Sequence, residues 1–120
     1  MVEKFNFKRY KKIHFIGING ISMSALAKYC FSQGKTVTGS DTDGSDENGV
    51  KSVATVYVGH CAENVHGADL VVYTSAISET NPELTEALKL GITTVKRSEL
   101  LGNIARGYKN TVAVSGSHGK

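Results

Sequence analysis

Short runs of β-branched and apolar residues alternate along this chain with segments whose apolar positions recur at helical spacing. The runs Lys12–Ile18, Thr36–Gly39, Thr55–Val58, Leu70–Thr74, Thr93–Lys96 and Thr111–Ser115 read as strands. After the Asn19-Gly20 turn, Met23, Leu26, Ala27 and Cys30 fall at i, i+3, i+4 and i+7, which predicts a helix with one buried stripe, ended at Gly34. A second helix has both ends marked: Asn81 as N-cap, Pro82 at the first helical position, Leu84, Ala87 and Leu88 on one face, and Gly91 past the last turn. A third is expected from a cap at Ser98 to near Gly107, with Leu100, Leu101, Ile104 and Ala105 facing inward. The stretch from Asp41 to Gly49 is polar and acidic, carries neither period, and is expected to be a mobile loop.

Strands that alternate with helices indicate a parallel sheet covered by helices. The expected fold class is therefore α/β: a Rossmann-like, doubly wound, mostly parallel sheet with helices on both faces. Such sheets bind ligands at the carboxyl ends of their strands. Four segments of interest fall at such ends. Gly17-Ile-Asn-Gly-Ile-Ser-Met23 joins the first strand to the first helix, where phosphates meet unpaired N–H groups and the positive end of a helix dipole. It departs from Gly-x-Gly-x-x-Gly at Asn19 and Ser22; Asn tolerates left-handed backbone and Ser22 offers a hydroxyl. Ser40-Asp41 ends the second strand, with the acid placed to meet a ribose hydroxyl. Gly59-His60 and Thr74-Ser-Ala-Ile77 follow the third and fourth. A tight turn without a ligand explains the first segment too, and a turn-forming Asp the second. His14 reads as a strand residue and His66 as solvated.

Composition narrows the class. With 120 residues the chain has room for one domain with its own core. The net charge of +3 is concentrated in residues 1–12, where Lys4, Lys8, Arg9, Lys11 and Lys12 face only Glu3. No second basic cluster extends that footprint, so this leader reads as a solvated lead-in to the first strand, with no nucleic-acid or membrane partner expected. Cys30 and Cys61 are too far apart for a redox or zinc pair, which suits a reducing compartment. There is no signal-peptide core and no run approaching the ~20 apolar residues that span a bilayer. A cytoplasmic protein is expected.

The chain closes on Val112-Ala-Val-Ser-Gly-Ser-His-Gly-Lys120, which reads as a strand entering a phosphate loop. Only Ser117 and His118 separate Gly116 from Gly119, so the usual ATPase spacing is not met and a shorter Gly-x-x-Gly-Lys loop remains. A polar linker has the same composition.

Taken in order, these motifs resemble the Mur ligases of bacterial cell-wall synthesis. The likeness runs through His14-Phe-Ile-Gly-Ile-Asn-Gly-Ile-Ser-Met-Ser24, Thr38-Gly-Ser-Asp41, Tyr57-Val-Gly-His-Cys-Ala-Glu-Asn64, Ala68-Asp-Leu-Val-Val-Tyr-Thr-Ser-Ala-Ile77, Asn81-Pro-Glu83, Arg97-Ser-Glu-Leu-Leu101 and Gly116-Ser-His-Gly-Lys120. The resemblance implies a three-domain enzyme, with residues 1–109 as the domain that grips the UDP end of the substrate and 110–120 as the opening of an ATP-binding domain. By that likeness Gly17, Asn19, Gly20, Ile21, Ser22 and Met23 hold the diphosphate. Ser40, Asp41, His60, Ser75, Ala76 and Ile77 surround ribose and uracil, and Arg97 adds a charged contact.

The implied reaction is ATP-dependent amide formation: ATP phosphorylates the carboxylate of UDP-N-acetylmuramic acid, the amine of L-alanine attacks the acyl phosphate, and ADP and phosphate leave. Gly116, Ser117, His118, Gly119 and Lys120 would meet ATP, with Lys120 catalytic against the outer phosphates. Magnesium is implied as a cofactor with ligands outside these residues, no metal site is expected within them, and the segment alone is expected to be inactive. Three readings compete with this one: a regulatory domain that senses NAD through the same turn and Asp41, a related ligase that joins a preformed peptide to the same acceptor in wall recycling, and a noncatalytic scaffold.

Overall fold

The computed structural model describes residues 6–42 and 44–115, with side chains up to residue 106. Five strands form one parallel sheet: β1 (Lys12–Ile16), β2 (Thr36–Asp41), β3 (Thr55–Val58), β4 (Leu70–Tyr73) and β5 (Thr93–Lys96), in the order β3-β2-β1-β4-β5. The helices are α1 (Ile21–Ser32), α2 (Pro82–Leu90) and α3 (Arg97–Ser115), with 3-10 turns at Phe7–Arg9, Val50–Ser52 and Ala62–Val65. The order reverses at β1, between β2 and β4, which is where a doubly wound sheet opens its binding crevice.

The alternation of side chains along each strand sorts them between two faces. Ile13 and Phe15 of β1, with Leu70 and Val72 of β4, join Met23, Leu26, Ala27 and Cys30 of α1 and Leu100 and Ile104 of α3 in the larger apolar cluster. The intervening residues Ile16 and Val71 pack on Val65, Leu84 and Ala87 in a smaller one. The stripe expected on α1 is therefore the buried one. Phe7 anchors the basic lead-in: its ring is buried, its N–H donates to Asn103 Oδ1 at 3.0 Å, and Lys35 Nζ lies 4.5 Å from the ring centroid.

Several expectations on the helices are corrected. Leu88 is 61 % exposed, because the buried stripe of α2 is rotated onto Glu83, Leu84 and Ala87. α3 begins at Arg97, directly after β5, so Ser98 lies within its first turn; the return bond comes from Glu99 Oε1, which accepts the Lys96 N–H at 2.8 Å. Leu101 and Ala105 are exposed, and only Leu100 and Ile104 point into the core. Residues Thr111–Ser115 are helical, and α3 passes Gly107 without stopping. β-Branched residues form strand only against a partner strand, and none lies beside them among the described residues, whereas helical hydrogen bonds close within the segment itself. Smaller shifts occur at strand ends: β1 stops at Ile16, where Gly17 takes a φ of +84°, and β2 runs on to Asp41.

The polar segment after β2 is tied to the β1–α1 turn. Asn19 Nδ2 donates to the Ser45 carbonyl at 2.9 Å, Asn48 Nδ2 donates to the Asn19 carbonyl at 2.9 Å, and Asp46 Oδ1 accepts the Lys51 N–H at 3.0 Å. No described helix is long and apolar enough to cross a membrane.

Candidate functional site

The carboxyl edge of the sheet brings together the ends of β1, β2, β3 and β4, as the motif positions require. Gly17 turns the chain away from β1 with a positive φ that disfavours other residues, and both its N–H and that of Ile18 donate to the Ser40 carbonyl, at 2.8 and 2.9 Å. Gly20 is the N-cap of α1 and offers no side-chain acceptor, so the first-turn N–H groups reach the edge without a capping side chain. Ile21 is 81 % exposed and Ser22 is exposed, whereas the Met23 side chain belongs to the core, which leaves only its backbone for a ligand. Ile77 lies over this turn: a Cβ added at Gly17 would stand 3.9 Å from Ile77 Cδ1. Ser75 and Ala76 beside it are exposed.

Asp41 is half-buried and already engaged. Its Oδ2 accepts the Asn19 N–H at 2.9 Å and its Oδ1 the Thr42 N–H at 2.8 Å, so the carboxylate fastens β2 to the β1–α1 turn. Ser40 is fully buried and lies beneath the edge. Gly59, at a φ of +88°, donates its N–H to the Asp41 carbonyl at 2.6 Å and swings His60 back over Ser40. The His60 ring is 18 % exposed, with Nδ1 2.9 Å from Ser40 Oγ.

Beneath these loops lies a group that sequence reasoning missed. Glu83 enters from the first turn of α2 and has no solvent exposure. Its Oε1 accepts from His14 Nε2 and from Ser40 Oγ, both at 2.7 Å. Its Oε2 accepts from Asn64 Nδ2 at 2.8 Å and from the Cys61 N–H at 3.1 Å, with His60 Nδ1 3.7 Å away. The Asn81 side chain caps α2 and fixes the turn that carries Glu83, accepting from the N–H groups of Glu83 and Leu84 at 2.8 and 3.3 Å. Burial alone would raise the Glu83 pKa, but hydrogen bonds from His14, Asn64 and Ser40, and the charge of His14, outweigh it and bring it down to about 2. The group is an ionised carboxylate at neutral pH. His14, read as a plain strand residue, is buried within this network, and its Nδ1 meets Thr38 Oγ1 at 2.7 Å. A polar side chain inside the run Ile13–Ile16 was the available signal, since a buried histidine needs partners. His66, by contrast, is exposed and pairs with Glu86 at 2.8 Å.

Arg97 starts α3 at the end of β5. It shares with Ser22, Leu26, Leu101 and Ile104 an open, mainly apolar cavity of about 400 Å³ between α1 and α3, so the structure brings it towards the β1–α1 turn on the helix side. Gly116, Ser117, His118, Gly119 and Lys120 lie outside the described residues. Among the described residues no group of three His, Cys, Asp or Glu side chains could hold a metal ion.

A five-stranded parallel sheet with its switch point under a glycine turn, and loops from four strand ends above it, defines the doubly wound α/β class of domains. Residues 12–109 match the family described as "Mur ligase family, catalytic domain", and the chain belongs to that family. It is 49 % identical over 119 residues to a UDP-N-acetylmuramate--L-alanine ligase of Clostridium tetani, covering 97 % of this chain and 26 % of that protein. A ligase of the same name from Clostridium beijerinckii is 50 % identical over 120 residues, with the same coverage of 97 % and 26 %. Among solved structures, the UDP-N-acetylmuramate-alanine ligase of Thermotoga maritima superposes with a TM-score of 0.74 at 33 % identity, covering 81 % of this chain and 23 % of that one. The UDP-N-acetylmuramate:L-alanyl-gamma-D-glutamyl-meso-diaminopimelate ligase of Neisseria meningitides gives 0.68 at 26 %, covering 76 % and 30 %. The chain thus spans about a quarter of the length of the curated relatives it matches.

Proposed function

We propose that this chain is the UDP-substrate-binding domain of an ATP-dependent ligase that adds L-alanine to UDP-N-acetylmuramic acid in peptidoglycan synthesis. The observation that carries the reading is the convergence of the β1, β2, β3 and β4 loops at one edge, at the switch point of the sheet. The N–H groups that open α1, from Ile21 to Met23, with Gly17, Asn19, Gly20 and Ser22, bind the diphosphate. Asp41, His60, Ser75, Ala76 and Ile77 surround the uridine, and Arg97 approaches from α3. Ser40 contributes from below, by holding His60. Residues 1–109 form this domain and 110–120 open the ATP-binding one, a division that coincides with the end of the family match although α3 runs across it.

In the longer enzyme, ATP supplies the phosphoryl group that activates the muramyl carboxylate, with magnesium offsetting phosphate charge and Lys120 against the outer phosphates. This domain anchors the nucleotide end of the acceptor so that its carboxylate reaches that centre, and acts in the cytoplasm. Binding energy from groups remote from the reaction serves to position the reacting group. Alanine rather than a preformed peptide is favoured as the amino component by the higher identity to the solved alanine ligase, 33 % against 26 %.

The test is an NMR titration of the labelled protein with UDP-N-acetylmuramic acid and, separately, NAD. Shifts confined to Gly17–Met23, Asp41, His60 and Ser75–Ile77 with the UDP sugar alone are expected. A response to NAD alone would move the reading to a dinucleotide sensor.

A further inference from the structure

The hydrogen-bond donors around Glu83 can be assigned one by one, because an ionised carboxylate only accepts. His14 Nε2 and Ser40 Oγ both lie 2.7 Å from Oε1, so each spends a proton there. The Ser40 hydroxyl has a single proton, and with that proton on Glu83 its oxygen can only accept from His60 Nδ1, 2.9 Å away. His60 therefore carries its proton on Nδ1. That edge of the ring is turned to fully buried groups, while the side chain as a whole keeps 18 % of its surface exposed. No described side chain or backbone group takes up Nε2.

We propose that Glu83 acts through Ser40 as a positioning residue that fixes His60 in its Nδ1–H tautomer, so that Nε2 meets the ligand as a hydrogen-bond acceptor. The ligand group it selects is a donor, a ribose hydroxyl or the imide N–H of a uracil-type base; this last step rests on the uridine reading of the edge. Glu83 touches no ligand itself. Its hydrogen-bonded route to the ring is the Ser40 hydroxyl, with Oε2 lying a further 3.7 Å from Nδ1.

The tautomer is read directly from the ¹⁵N resonances of the His60 ring in the ligand-free protein at a pH where the ring is neutral. A pyrrole-type Nδ1 with a pyridine-type Nε2 is expected; the reverse overturns the proposal. In Glu83→Gln the carboxamide oxygen must settle where Oε2 was, because the Cys61 N–H there is a fixed donor. The amide then donates towards Ser40, whose hydroxyl turns to His60 Nδ1, and the tautomer reverses. An unchanged tautomer in a folded Glu83→Gln overturns the proposal. Should that variant not fold, Ser40→Ala keeps the carboxylate and removes the relay: a mixture of tautomers is expected, and the wild-type tautomer alone would overturn the route through Ser40.

With UDP as probe, Glu83→Gln is expected to bind about tenfold more weakly, the scale of one hydrogen bond. Wild-type affinities for UDP, 2′,3′-dideoxyuridine diphosphate and cytidine diphosphate then tell which donor is read, and equal binding of all three overturns the acceptor role. If the tautomers behave as expected while the wild type binds no UDP, the positioning role stands and the uridine reading falls.

Discussion

The two faces of the sheet are held by different physics. The face under α1 and α3 is a continuous apolar cluster from Phe7 to Ile104, while the face under α2 pairs a small cluster with a carboxylate, two histidines and a hydroxyl. Apolar burial is non-directional and tolerates repacking. A buried carboxylate demands that every donor around it be in place. His60 and Ser40 at the candidate edge stand on the second kind of face, and the lesson is that the less forgiving interactions lie under the loops whose geometry the proposed site needs.

The sharpest way to break this contrast is Glu83→Ala. Removing the acceptor strands His14, Ser40, Asn64 and the Cys61 N–H in the interior, and we expect a loss of about 4 kcal/mol, read as a lower urea midpoint. A loss under about 1 kcal/mol would mean that water or rearrangement satisfies the site. Acid should weaken the same face. With the Glu83 carboxyl held near 2 against an ordinary 4.5, the folded state binds fewer protons than the unfolded chain across that interval. The stability it confers is complete above pH 4.5 and is lost as the pH falls through 2, amounting to about 3 kcal/mol. Urea midpoints followed from pH 6 downward should fall less steeply in Glu83→Gln, and parallel curves would remove the carboxylate from the account.

The apolar face is tested where it is tightest. A Cβ at Gly39 would lie 2.4 Å from Ile18 Cδ1, so Gly39→Ala should cost about 2 kcal/mol by overpacking and displace the β1–α1 turn. The smallest effect is chemical. Burial, opposed in part by Lys35, pushes the Cys30 thiol up to about 12, whereas Cys61 is exposed. A thiol reagent at neutral pH should therefore modify Cys61 and leave Cys30 until the protein unfolds. Prompt loss of both thiols would show that the apolar face opens readily.

Reading the chain from its residues succeeded where one local signal was enough. Asn81-Pro82 and Gly91 mark the ends of α2 without tertiary help, and the buried stripe of α1 follows from spacing alone. The ends of the first five expected strands were legible to within two residues, and with them the loops that gather at one edge, whereas the sixth, Thr111–Ser115, is helical. Glu83 was not, because an acid in the first turn of a helix is also an ordinary partner of the helix dipole. Its burial follows only once Thr38, Ser40 and His14 are known to share a face, which depends on the pairing of β1 with β2. The orientations of Leu88, Leu101 and Ala105 failed for a related reason: a helical period gives the width of an apolar stripe, but the neighbouring element decides which edge of it is covered.

The direct passage of β5 into α3 has a mechanical side. With no loop between Lys96 and Arg97, the helix inherits its direction from the sheet, and its first two turns are seated by Leu100 and Ile104. Nineteen helical residues make a rod about 28 Å long. A tilt of about 5° at the seated end sweeps the other end through about 2.5 Å over that length. α3 thus has the geometry of a lever, with its seated turns beside the cavity that Arg97 and Ser22 share and the rest of its length leading away from the sheet edge.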